Sequence, residues 1–404
     1  MTDSLNTPGT LDFSFGTFGT RTLLGSDVKA IAVLTDVGPD QGKVVGVISG
    51  TNSFKLFRLN ENGSLDTTFG PDGTGYSEDG FGVPGSFSTP QALAIVNSDQ
   101  ILVSGHLRDS SLAPNFPAAT LFNSNGSANL VFGKFKFDTP VPPSIPIATL
   151  PARTESATTA NAAKILLSFN NSAPGPYRNW GLLVQLTLDG KLDTALDGRG
   201  YVFLRHNGLD TSTIGVVTQT DGRIILAGST AAEGFVAGYT STGQPDFTFG
   251  KEGSVTTFTS SEGPVRVNKL LLQADNKLVA VGTVANGTSG WITRKLGDGK
   301  DDISFNDAKD VITSITFRKL QWKSAVIDSN GSIVAGGEVD ARVSVVGRIT
   351  QDGLIDTSFS ATGISDWSAE HTPNQLNSAG AQTNTQIIVA GRQTTEASVS
   401  RYHG

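Results

Sequence analysis

Four histidines, at positions 106, 206, 371 and 403, are the only imidazoles in the 404-residue chain, and cysteine is absent. Without a thiol there is no cysteine nucleophile, no thiolate metal site and no disulfide. The histidines do not fall at the spacing of paired metal ligands. No phosphate loop, dinucleotide glycine fingerprint, His-Glu-x-x-His or Gly-x-Ser-x-Gly occurs. Local motifs therefore assign no catalytic residue, no metal and no cofactor. An enzyme would have to assemble its groups through the fold, as a hydrolase or lyase with an axial site that sets His206 or His371 beside a carboxylate such as Asp210 or Glu370.

A second set of residues suits recognition rather than catalysis. Trp180, Trp291, Trp322, Trp367 and Tyr177 supply flat rings for stacking on sugars or packing into a protein partner, and His106, Arg108, Arg178, His206 and His371 supply polar and cationic groups beside them. With 30 Lys and Arg against 37 Asp and Glu the net charge is −7. That argues against broad nucleic-acid binding, which needs lysine and arginine to neutralise phosphates.

A third set repeats. Asp12, Asp66, Asp193, Asp246, Asp302 and Asp356 recur with an apolar residue before them and, in most copies, Ser or Thr followed by Phe after them. A calcium loop needs several oxygen ligands within about 12 residues. A single carboxylate before Ser or Thr reads instead as an Asx turn that accepts backbone N–H groups. Arg58, Arg294, Arg348 and Arg401 recur with the aspartates and read as their ion-pair partners.

The elements that position these residues follow from the same repetition. Leu11-Asp12-Phe13-Ser14-Phe15-Gly16 returns in copies starting near 65, 128, 192, 245, 301 and 355, some of them eroded. Each unit of about 57 residues contains runs that read as four strands. In the clearest, these are Ser254 to Thr259, Arg266 to Ala274, Leu278 to Val284 and Trp291 to Leu296. The apolar, β-branched run in each unit, such as Ile387-Ile388-Val389-Ala390, reads as a buried central strand. The sequence thus predicts an all-β chain, a single domain over residues 1–404, folded as a seven-bladed β-propeller of seven four-stranded repeats.

The Leu/Ile-Asp-x-Ser/Thr-Phe-Gly motif, preceded by Asn/Asp-Gly and followed by paired strands, resembles the delta-60 repeat family of bacterial β-propellers. The resemblance spans essentially the whole chain and implies the propeller fold and an exported or surface location, with no assigned reaction. No apolar run is long enough for a membrane span, and the N-terminus MTDSLNTPGT lacks a Sec-type leader, so export would follow another route.

Strand alternation puts the motif loops at one end of the propeller and the long, dissimilar loops at the other. The long loops include Asp109 to Ala119, Asp138 to Ala160 and Asn170 to Asn179. The tryptophans, Tyr177, Arg178, His106, Arg108, His206 and His371 map to that variable end. Rigid strands holding variable loops predict a non-enzymatic recognition module for a protein or surface glycan. The axial enzyme is one alternative, and the receptor-binding component of a toxin or adhesion system is the other.

Overall fold

The computed structural model describes residues 7–36, 38–97, 99–111, 113–138, 157–160, 164–172, 179–251, 253–284, 287–365, 373–383 and 386–404. The chain opens with β1 (Thr20–Leu23), which waits for a partner from the far end. A four-stranded sheet follows: β2 (Val28–Val33), β3 (Val44–Ser49), β4 (Phe54–Leu59) and β5 (Tyr76–Asp79). The next holds β6 (Phe87–Val96), β7 (Gln100–Arg108), β8 (Phe116–Phe122) and β9 (Lys134–Lys136). A third holds β10 (Ala157–Ala160), β11 (Ile165–Ser172), β12 (Asn179–Leu186) and β13 (Tyr201–Leu204).

Eight strands then run as one sheet: β14 (Ser212–Thr218), β15 (Ile224–Ser229), β16 (Gly234–Tyr239), β17 (Val255–Ser260), β18 (Gly263–Leu272), β19 (Leu278–Val284), β20 (Ser289–Lys295) and β21 (Val311–Thr313). A three-stranded sheet holds β22 (Leu320–Ile327), β23 (Ile333–Val339) and β24 (Val343–Ile349). Last come β25 (Gln375–Thr383), β26 (Gln386–Gln393) and β27 (Glu396–His403), and β1 pairs with β27 as the outer strand of that sheet.

The fold is an all-β propeller, but seven uniform four-stranded repeats are not what forms. Among the described residues, five blade-sized sheets of three or four strands stand beside one sheet of eight. Two local causes account for this. Thr259 and Ser260 of β17 pair with Pro264 and Gly263 of β18 across a tight turn, which hydrogen-bonds what would be separate sheets into one. After β24 the expected outer strand shrinks to a single bridge, Gly347 to Ile364. The grouping of strands also differs from the sequence reading: the strand after each motif pairs backward, as β17 does with β16, rather than opening a new unit.

The second and third strands of each sheet are almost wholly buried, as in β15, β16 and β19. Apolar side chains from adjacent sheets interlock between them. Phe54 packs with Phe81 and Phe122 at ring separations of 4.9 and 6.1 Å, within a cluster drawn from the first two sheets. Each such fully buried side chain contributes about 1.5–3 kcal/mol.

The repeated aspartate ties the sheets into a ring. Asp66 accepts the Thr68 N–H and hydroxyl at 3.0 and 2.7 Å through one oxygen, and the Arg58 Nε–H at 2.7 Å through the other. The Arg58 guanidinium lies 5.0 Å from the centre of the Phe69 ring and donates to the Ser124 carbonyl of the next turn at 2.9 Å. Phe69 is fully buried against that turn. A Cβ on Gly126, which has φ +84°, would lie 2.7 Å from the Phe69 ring, so only glycine fits there. Arg294 with Asp302, Ser304 and Phe305 repeats the clamp, as does Arg401 with Asp12, Ser14 and Phe15. Arg348 repeats its core with Asp356 and Phe359. Where the strand arginine is missing, Arg223 from a hairpin reaches Asp246 at 2.6 Å, and Gln185 reaches Asp193 at 2.6 Å.

The Arg401–Asp12 clamp joins the two ends of the described chain, and both side chains are 4% exposed. Removing one partner leaves the other charge buried and uncompensated. Arg401→Ala is expected to cost about 3–5 kcal/mol in urea unfolding, whereas Arg318→Ala, whose pair with Asp340 is exposed, is expected to cost less than about 1 kcal/mol. Equal losses would contradict the clamp's structural role.

Acid should act on the same groups. Burial alone would raise the Asp12, Asp66, Asp302 and Asp356 carboxyls, but hydrogen bonds from Ser or Thr, preceded at Asp66 by one from the Lys43 ammonium, together with the arginine charge outweigh it and hold all four below the usual carboxylate range. A carboxyl depressed in the folded state stabilises above its unfolded value of about 4, and that contribution is lost as pH falls toward the folded value. The melting temperature should therefore hold from pH 7 to 5 and drop steeply between pH 4 and 2. A flat profile would contradict this.

Candidate functional site

The innermost strands of the sheets converge on an axial cavity of about 1780 Å³. Its wall comes from β2, β6, β14, β18, β22 and β25, and its rim from Asn115, Asp210, Thr230 and Gly287. Those rim residues lie in or beside the connections β7–β8, β13–β14, β15–β16 and β19–β20, so the cavity reaches the end that bears the dissimilar loops. The motif clamps occupy the opposite strand ends.

The wall has a recurrent device. Each of these six strands shifts register by one residue against its neighbour, bulging at Lys29, Gln91, Ile214, Asn268, Lys323 and Asn377. A bulge lets a strand re-aim side chains that the regular alternation would send elsewhere. All six bulged residues line the cavity. Most are held in place: Lys29 pairs with Asp27 at 2.5 Å, Asn377 donates to Asp27 at 2.7 Å, Asn268 donates to the Trp322 carbonyl at 2.7 Å, and Lys323 faces Glu338 at 3.8 Å.

The residue after each bulge sits where the inner strands crowd together. It is Ala30, Ala92, Gly215, Ser324 or Ser378 in five strands, and Lys269 in β18. Ser378 and Ser324 use this position to accept an N–H from the adjacent inner strand, Ile31 and Ala379 respectively, each at 3.2 Å. Lys269 keeps surface on the cavity, yet protein surrounds it closely enough that desolvation pushes its amine below the ordinary lysine value. It makes no hydrogen bond or ion pair among the described residues.

A second-strand position buttresses the same wall. Asn170, Ser229 and Glu338 accept the N–H of Thr213, Val267 and Leu376 on the adjoining inner strand at 2.6, 2.9 and 2.9 Å. Ser49 and His106 occupy the corresponding place on β3 and β7. Among the described residues the Ser49 hydroxyl finds no partner, because Pro90 stands where the N–H should be. His106 is buried, its Nε2 makes no hydrogen bond among the described residues, and burial holds the imidazole down to about 4, so it is neutral at physiological pH.

The structure brings only some of the sequence-predicted residues to this site. His106 and Arg108 line the cavity, Arg108 lying 5.0 Å from the Phe87 ring centre. His206 does not; it is buried beneath the loop, 2.9 Å from Glu233 and 5.0 Å from the Phe235 ring centre. Asp210 is on the rim and accepts the Asn179 N–H at 3.1 Å, so the proposed His206–Asp210 pairing does not form. Trp180, Trp291 and Trp322 are buried rather than presented as open anchors. Trp291 donates its indole N–H to Asp310 at 2.8 Å, and Trp180 carries the Arg205 guanidinium 5.5 Å from its ring centre. Each tryptophan lies within the first three residues of its strand, near a loop, and its large apolar surface is buried there. Tyr177, Arg178, Trp367, Glu370 and His371 lie outside the described residues. Lys269 was missed from sequence, although aligning the repeats would expose one lysine in a column of Ala, Gly and Ser.

Among the described residues no cluster of three or more His, Asp or Glu could hold a metal, and no helix is long and apolar enough to cross a membrane. No curated protein matches the chain in sequence. The family described as "Domain of unknown function (DUF5122) beta-propeller" matches residues 42–69. That segment holds β3, β4 and one motif up to Phe69. Among solved structures, virginiamycin B lyase from Staphylococcus aureus is similar at 12% identity over 95% of this chain and 98% of that one, with a TM-score of 0.51. The WD40 domain of Toxoplasma gondii coronin is similar at 8% identity over 95% and 86%, with a TM-score of 0.49. At this identity the likeness to the lyase concerns fold alone, and with the family match it agrees with the strand topology in making this chain a β-propeller.

Proposed function

We propose that this chain is a recognition propeller of the delta-60 repeat kind, binding a protein or surface glycan at its variable-loop end. One observation carries the reading: the two ends of the ring are built differently. At the motif end, aspartate, arginine and phenylalanine are consumed in clamps between sheets. At the other end, among the described residues, the connections β7–β8, β13–β14, β15–β16 and β19–β20 rim the mouth of a large polar-walled cavity. Variable segments held by a stiff frame bind with little ordering cost, which is the condition for useful affinity from a modest surface. The recurrence of the Asp-x-Ser/Thr-Phe-Gly motif supports the delta-60 assignment. The buried tryptophans move the expected contacts from exposed rings to loop backbone, loop side chains and the rim.

The test is a glycan array and a partner pull-down run with the natural chain and two folded variants. One replaces residues 109–115, between β7 and β8, with Asn-Gly. The other carries Phe247→Ser at an exposed motif-end position. The natural chain and F247S should retain the same ligand, and the loop variant should lose at least tenfold in retention. Retention unaffected by the loop change, or no retention by the natural chain, would overturn the reading.

A further inference from the structure

We propose that the axial cavity is a binding site for a carboxylate, with Lys269 as its counter-ion. The inference rests on the recognition reading above and gives that face its ligand chemistry.

The charge of the wall opposes the charge of the chain. The whole molecule carries −7, yet among the described residues the cavity is lined by five cations, Lys29, Arg108, Arg266, Lys269 and Lys323, and by one carboxylate, Asp210. A concave, low-dielectric wall of one sign concentrates ligands of the other. Four of the five are engaged: Lys29 with Asp27, Lys323 with Glu338, Arg108 with the Phe87 ring and the Ser111 carbonyl, and Arg266 in a contact of its own. Among the described residues Lys269 is not.

The position of Lys269 strengthens this. Five inner strands place Ala, Gly or Ser after the bulge, where a long side chain has least room. Retaining an ammonium there without a partner costs desolvation that serine would avoid. A residue that breaks a local rule without a structural gain marks a functional position. Across the cavity the His106 Nε2 is unpartnered among the described residues and His106 is neutral, so the wall adds a ring nitrogen able to donate without adding negative charge.

One uncompensated ammonium matches one negative charge. A phosphate dianion would call for a second free cation or an arginine fork. A carboxylate can accept from the Lys269 ammonium through one oxygen and leave the other to the solvent of the cavity. Sources with this chemistry include an acidic sugar and the carboxylate of a peptide, whereas a neutral sugar would leave the Lys269 charge uncompensated.

The test uses the full chain in calorimetric titration with four probes: sodium glucuronate, sodium acetate, glucose and inorganic phosphate. Glucuronate and acetate should bind, phosphate should bind more weakly, and glucose should give no heat. Lys269→Met should weaken glucuronate at least tenfold. Lys269→Ser, which installs the residue of β22 and β25, should do the same with a melting temperature equal to or above that of the natural chain, separating lost binding from lost folding. Unchanged affinity in both variants, no binding of either carboxylate, or tighter binding of phosphate would overturn the proposal. A chain that keeps its loop-face ligand but ignores glucuronate and acetate would refute this inference and leave the recognition reading standing. A chain that binds glucuronate while its 109–115 variant retains everything would refute the recognition reading instead.

Discussion

A buried aspartate held by an arginine from one side and by its own Ser or Thr from the other is the interaction on which the ring depends. Taken alone, each charge would be costly to bury. The cost is offset because every oxygen and nitrogen has an assignment: Asp66 serves the Thr68 turn and Arg58, and Arg58 serves Asp66, Thr68 and the Ser124 carbonyl of the next turn. Phe69 beneath the guanidinium excludes water from the pair and fills the gap left by Gly126. Sequence neighbours and ring neighbours are thereby joined at one point, which is why the motif must carry all its parts together. Where the arginine is lost but the aspartate kept, Arg223 or Gln185 takes over the free oxygen, and in the copy near 128 Asn129 keeps only the turn, its side-chain oxygen accepting the Val131 and Phe132 N–H.

With one end committed in this way, the other end and the axis are left to vary. The bulges in the inner strands turn polar residues toward the axis without disturbing the central apolar strands, because the extra residue is absorbed locally. Small residues after the bulge then let the inner strands approach. Lys269 departs from that economy in the strand that also shares a turn with β17, the place where two sheets run together. The ring's most regular feature and its clearest exception therefore meet on one strand.

Much of the fold was legible in the sequence, for reasons that can be named. The Asp-x-Ser/Thr-Phe-Gly copies are covalently contiguous, so their spacing gave the repeat, and the β-branched runs gave the central strands. The partition into sheets was less legible. Whether a strand such as Val255–Ser260 pairs backward with β16 or opens a new unit depends on hydrogen bonds between segments, and its two pairs to β18 arise from a turn whose sequence does not distinguish it from a loop. The pairing of arginine with the repeated aspartate was legible because both recur. The site was mostly not. Tryptophan near a strand end signals a loop-proximal ring but not whether it faces solvent, and Trp180, Trp291 and Trp322 face the core. Lys269 carries no motif, and its meaning comes only from comparison with Ala30, Ala92, Gly215, Ser324 and Ser378 in register.

The central claim is that the clamp end is the rigid frame of the ring and the loop end is the part free to serve a ligand. Native-state hydrogen exchange measures that difference directly. The amides of Gly70 and Asn306 donate across sheets to the Asn125 and Asp352 carbonyls at 2.9 and 2.8 Å, and they should exchange only through global unfolding, with the same denaturant dependence as the central strands. Loop-end amides such as Ala113 and Arg342, bonded only within their own turns, should exchange by local opening. Motif amides that exchange locally, as fast as those of the loops, would contradict the account.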